Sequence, residues 1–93
     1  MFGQINKMVA QPGQRSELIG HLTAGTAHMP GCRSYIVAAD AEHADIIWVT
    51  EVWDSPDLHA ASLDITEVRS AISAAMPFIA SFETVATTAP ILD

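Results

Sequence analysis

From Phe2 to Val9 the chain alternates weakly, with Phe2, Gln4, Asn6 and Met8 on one side of an extended backbone and Gly3, Ile5, Lys7 and Val9 on the other. That pattern predicts a first strand. Pro12-Gly13 breaks it. Leu18, Ile19, Leu22, Gly25 and Met29 then recur at the spacing of one helical face, which predicts a helix over 15–29 ended by Pro30-Gly31. Gly20 and Gly25 each cost such a helix about 1 kcal/mol relative to Ala, so they are expected where its backbone lies close to a sheet. Cys32 to Ala39 and Ile46 to Trp53 are rich in β-branched and aromatic residues, and the polar segment 40–45 between them suits a hairpin loop. Ser55-Pro56-Asp57 is a helix start: the hydroxyl can accept an orphan N–H, Pro is tolerated in the first turn, and Asp suits the positive helix end. Asp64 and Glu67 stand like a capping box before a second helical segment over 66–75, where Ile65, Val68, Ile72 and Met76 keep a helical period until Pro77. Phe82 to Thr88 alternates again and supplies a last strand, while 89–93 carry no clear pattern.

The resulting order, β-α-β-β-α-β, is the split βαβ or ferredoxin-like arrangement of the α+β class, with helices on one face of a four-stranded antiparallel sheet. The strands are apolar on both sides, however. Ile47 and Val49 oppose Ile46 and Val52 in the third, and Ile36 opposes Val37 in the second. A sheet covered on one side only should show a polar face, so the open face is expected to meet a second copy of the chain, as a homodimer.

A chain of 93 residues with 49% apolar and 16% charged content has material for one core, so 1–93 reads as a single domain. At this length only about two-thirds of the unfolded surface is hidden on folding, and a partner subunit would add stability. The net charge is −7 and the four cations, Lys7, Arg15, Arg33 and Arg69, are scattered. Nucleic-acid binding needs a basic stripe and is not expected. The lone Cys32 offers neither an intrachain disulfide nor a paired-thiol metal site, which suits a reducing cytoplasm. No apolar run is long enough for a membrane span, and no secretory leader is read.

The chemistry-bearing positions are few. His59 follows a strand end, where a pocket between helix and sheet can open, and imidazole titrates near neutral pH; it is the candidate general base, against the alternative that it fixes the connection by bonding a carbonyl or Ser62. His21, His28 and His43 read as solvated. Asn6 is unusual inside a strand: its amide can orient a phenolate or a carbonyl, or it can stand at a dimer seam. Glu51 and Trp53 share one face and Trp48 takes the other; either indole can wall an aromatic site, although core or interface is the commoner use. Tyr35 shares its side with Arg33 and Val37, and is either a proton donor to a substrate oxygen or a buried phenol satisfied by backbone. Glu51 is expected to pair across strands with Arg33 or Lys7 as a structural charge. Leu18, Leu22, Ile72 and Met76 are core by spacing, and would line any pocket between helices and sheet. No phosphate loop, nucleophile elbow, metal-ligand cluster or dinucleotide fingerprint is present, so no metal or organic cofactor is expected.

Residues 51–63, Glu-Val-Trp-Asp-Ser-Pro-Asp-Leu-His-Ala-Ala-Ser-Leu, resemble the E-x-W-x-S…H-x-x-S-L segment of antibiotic biosynthesis monooxygenase-like proteins, and the likeness runs on through Glu67-Val68-Arg69 and Met76-Pro77-Phe78-Ile79. The resemblance implies a dimeric α+β barrel. It also implies cofactor-independent oxidation by O₂ of a quinol, anthrone or similar electron-rich aromatic, with His59 as base, Asn6 steadying an oxyanion, and Trp53, Trp48, Tyr35 and Met76 around the substrate. Here Glu51 and His59 are 8 positions apart (59 − 51), whereas many quinol-oxidising relatives carry their His further along the helix. A haem-degrading branch of the same superfamily is matched at Asn6 only: Arg69 or Ser70 stands where its ligating His would fall, and His59 where its Trp would. Haem is therefore not expected. The alternative to an enzyme is a non-catalytic dimer that binds a small hydrophobic molecule or serves as an accessory subunit. Convergence of His59 and a second polar group on one cavity would favour the enzyme.

Overall fold

The computed structural model describes residues 1–26 and 28–92. In chain order it contains β1 (Phe2–Ala10), α1 (Arg15–Ala24), β2 (Cys32–Ala39), β3 (Ile46–Trp53), α2 (Pro56–Ser62), α3 (Thr66–Ala75), a 3₁₀ turn at Met76–Phe78 and β4 (Ile79–Thr88). The strands form one antiparallel sheet in the order β2-β3-β1-β4. This is the ferredoxin-like α+β fold anticipated from the pattern of the chain.

The helix-facing side of the sheet holds the core. Met8 and Ala10 of β1 and Ile47 and Val49 of β3 are buried with Leu18 and Leu22 of α1 and Ala75 of α3. Met29, Trp53 and Val68 form a second cluster nearer the start of β2. Among the described residues no helix covers the opposite side, and there Ile36 is 56% exposed. Among the described residues no helix is long and apolar enough to cross a membrane.

Several expected boundaries move. The first helix stops at Ala24 rather than Met29, because the chain leaves the helix at Gly25 and the Thr26 hydroxyl donates to the carbonyl of Leu22 (3.1 Å). Met29 still reaches the interior, in the second cluster. Gly25 lies against α3 and not against the sheet: a methyl there would overlap the Glu67 carbonyl and Ala71. Gly20 has open space around it. The cap of α3 is Ile65, with no side-chain bond, so Asp64 and Glu67 do not form the expected box. Pro77 sits in the 3₁₀ turn, which turns the chain directly into β4, and the strand starts at Ile79 opposite Ala10, earlier than Phe82.

The β2–β3 hairpin is closed by Asp40. Its carboxylate accepts from the backbone N–H of Glu42 (3.0 Å) and His43 (2.9 Å) and from Trp48 Nε1 (2.7 Å). The indole bond first, then the two backbone bonds, hold its carboxyl down at about 2. Arg15, at the start of α1, donates to the carbonyls of Asp40, His43 and Ile46 and fastens the helix to the hairpin.

Candidate active site

The register of β1, β3 and β4 brings three polar side chains into line on the helix-facing side. Asn6 lies opposite Val49 on one flank and Thr84 on the other, and Glu51 pairs with Gln4. Asn6 Nδ2 donates to Glu51 Oε2 (2.8 Å), and the Thr84 hydroxyl donates to Asn6 Oδ1 (2.9 Å). Trp53 Nε1, two residues along β3 on the same face, donates to Glu51 Oε1 (3.0 Å). Glu51 is only 7% exposed and Asn6 4%. A carboxylate this deep is expensive unless its oxygens are bonded, and here each oxygen receives an N–H.

His59 approaches from α2. Ser55 caps that helix through its hydroxyl, which accepts from Leu58 N (3.2 Å), and so sets the histidine one turn in. Its imidazole Nε2 stands 3.7 Å from Glu51 Oε1, within ion-pair range though longer than a hydrogen bond. The ring rests against Phe2 (centroids 5.5 Å apart) and meets Trp53 edge-on (5.4 Å). The Ser62 hydroxyl donates to the His59 carbonyl (2.6 Å), so the side chain is left to face the carboxylate.

These groups line a cavity of about 580 Å³ between sheet and helices, a size ordinary for a small-molecule site. Asn6, Glu51, His59 and Tyr35 mark its polar part, and Val68, Ile72, Met76 and Phe82 line the apolar remainder. Ile72, Met76 and Phe82 are 41%, 60% and 54% exposed, and mark its mouth. A second, more open hollow on α3, lined by Thr66, Arg69, Ser70, Ser73 and Ala74, contains none of these groups. Among the described residues no set of three or more His, Cys, Asp or Glu side chains is placed to hold a metal ion.

The sequence model of the family described as antibiotic biosynthesis monooxygenase matches residues 1–74. The chain belongs to the antibiotic biosynthesis monooxygenase family. A crystal structure from Chloroflexus aurantiacus J-10-fl that carries the family's name is 48% identical to it, with 99% of this chain and 94% of that one covered and a TM-score of 0.94. Two more structures carrying that name share the fold at lower identity. The one from Nitrosomonas europaea is 10% identical (TM-score 0.88, covering 99% of this chain and all of that one). The one from Deinococcus radiodurans is 21% identical (TM-score 0.81, covering 100% and 95%). No curated protein matches the chain.

In this antibiotic biosynthesis monooxygenase family member, His59, Asn6, Trp53, Tyr35 and Met76 all line the one cavity. Trp48 does not. The alternation of β3 turns it to the helix-free side, where its indole bonds Asp40 and Lys7 Nζ stands 6.0 Å above its ring. The pairing expected for Glu51 with Arg33 or Lys7 is also absent, since Lys7 faces the other way and Arg33 bonds Asp54 (2.6 Å). A bulge between Cys32 and Ser34 takes Arg33 out of step with Tyr35, so those two do not share a side in the way alternation alone implies. His21 is half-buried and stacks on Phe78 (5.2 Å), while His28 and His43 are exposed. Glu51, expected as a structural charge, is instead a central residue of the site, on the face it shares with Trp53. Thr84 had no such signal, because β4 shifts register between the partners of Ile5 and Asn6. Burial pushes the Tyr35 phenol up to about 12, helped by the Glu51 charge and then Cys32. Burial likewise raises the Cys32 thiol.

Proposed function

We propose that this protein is a cofactor-independent monooxygenase for an electron-rich aromatic such as a hydroquinone or anthrone. The observation that carries the reading is the convergence of His59 and the buried Glu51 on one largely apolar cavity, as a catalytic base with a counter-charge requires and a shape-only binder does not. His59 takes a phenolic or activated C–H proton. The imidazolium that forms is stabilised by the Glu51 carboxylate beside it, and the second hydrogen of the Asn6 amide is free to bond the developing oxyanion. The substrate anion passes an electron to O₂. For an anthrone-type methylene, radical recombination gives a peroxide, and loss of water leaves the carbonyl, so one oxygen atom enters product and the other leaves as water. Apolar walls keep bulk water from the anion.

Oxygen uptake by wild type and His59→Ala against hydroquinones, anthrones and catechols tests this, with denatured protein and metal chelation controlling for autoxidation. The expected result is uptake that needs folded protein and falls at least tenfold in the variant, about 1.4 kcal/mol of transition-state stabilisation. A variant that turns over a proven substrate at the wild-type rate would refute the role. We also propose that the active form is a homodimer joined through the helix-free sheet face, where Ile36, Trp48 and Val52 leave apolar surface.

A further inference from the structure

We infer that Glu51 makes the cavity selective for uncharged ligands that donate a hydrogen bond, and against ligands bearing a carboxylate or phosphate. This rests on the cavity being the substrate site, as proposed above, but concerns what it admits rather than what it does to it. Among the described lining residues Glu51 is the one carboxylate, and none is Lys or Arg. All four cations of the chain stand elsewhere. Lys7 is over Trp48 on the helix-free side, Arg15 is on the hairpin carbonyls, Arg33 is with Asp54, and Arg69 is in the hollow on α3. An anion entering the cavity meets the Glu51 carboxylate in an apolar enclosure with no guanidinium or ammonium to offset it; the one basic side chain on the wall, the His59 imidazole, already faces that carboxylate (3.7 Å), and the net charge of −7 opposes the anion's approach as well. A phenolic O–H meets instead a charged acceptor and the Asn6 amide. The same charge therefore serves as the filter that separates a neutral phenol from its carboxylated analogue.

Glu51→Gln removes the charge and can keep the network. The Gln carbonyl accepts from the Trp53 indole, its NH₂ donates to a turned Asn6 amide, and the Thr84 hydroxyl changes from donor to acceptor. The experiment is calorimetric titration of full-length protein with 2-naphthol and with 6-hydroxy-2-naphthoate, without oxygen. It is run at pH 8, above the range in which imidazoles ordinarily carry charge. Wild type is expected to bind the naphthol at least tenfold more tightly than the naphthoate, and E51Q to reduce that ratio to within about threefold, mainly by tighter naphthoate binding. Equal or tighter naphthoate binding by wild type, no naphthol binding, or a ratio unchanged in a folded E51Q would overturn the inference. The wild-type ratio alone decides if E51Q does not fold. Selectivity as expected together with no oxygen uptake would leave this inference standing and remove the oxygenase reading.

Discussion

Tyr35 is the chain's one tyrosine, so tyrosinate absorbance reports this side chain alone. The phenol lies half-buried on the cavity wall, opposite Glu51 in the β2–β3 register. Burial first, then the Glu51 carboxylate, raises it from 10.0 to about 12. Because the folded value lies above the unfolded one, the neutral phenol is favoured by folding. The stabilisation is complete below pH 10 and is lost as pH rises from about 10 to about 12. A displacement of that size corresponds to about 3 kcal/mol, against a total of about 5–15 kcal/mol for a domain. A rapid pH jump with absorbance detection, followed by circular dichroism in the same solutions, reads both events. The native protein should show little tyrosinate below pH 11, and Tyr35→Phe should flatten the fall in stability between pH 10 and 12. Ionisation of the folded protein with a midpoint near 10 would refute the argument, because it would mean that neither burial nor the carboxylate acts on the phenol.

Other substitutions separate further parts of the structure. Gly20→Ala should stabilise by up to about 1 kcal/mol, since the site is an open position inside α1, whereas Gly25→Ala forces α1 away from the Glu67 carbonyl and should cost about 1–3 kcal/mol; urea midpoints moving in the same direction for both would sink this contrast. Glu51→Ala orphans two buried donors, on Asn6 and Trp53, at about 1 kcal/mol or more each, so thermal unfolding should move down by about 8 °C or more; an unchanged midpoint would show that the carboxylate is not their partner. Ile36→Lys, on the exposed helix-free face, should shift sedimentation of the proposed dimer toward monomer, and a wild type that sediments as monomer at every concentration would dispose of that interface.

The element order follows from local pattern, because alternation in β1, β2 and β3, the Ser55-Pro56 start and the Pro77 stop are short-range signals that packing did not override. The sidedness of β1 and β3 was equally legible: a period of two places Asn6 with Met8 and Glu51 with Trp53 whatever the fold. Charge and the lone cysteine likewise need no coordinates. What alternation cannot say is which side the helices cover, and that decision made Trp48 a hairpin residue and Trp53 a cavity wall. Nor can it register a bulge, which put Arg33 beside Asp54, or a shift in β4, which delivered Thr84 to Asn6. The fate of Glu51 depended on all of these at once. Its partners are 45 residues upstream and two downstream, and the histidine it faces comes from a different element. Only the assembled sheet with its helices docked could turn a strand glutamate from a structural charge into the acceptor at the centre of the site, because a buried carboxylate is tolerated only where donors from several segments meet it.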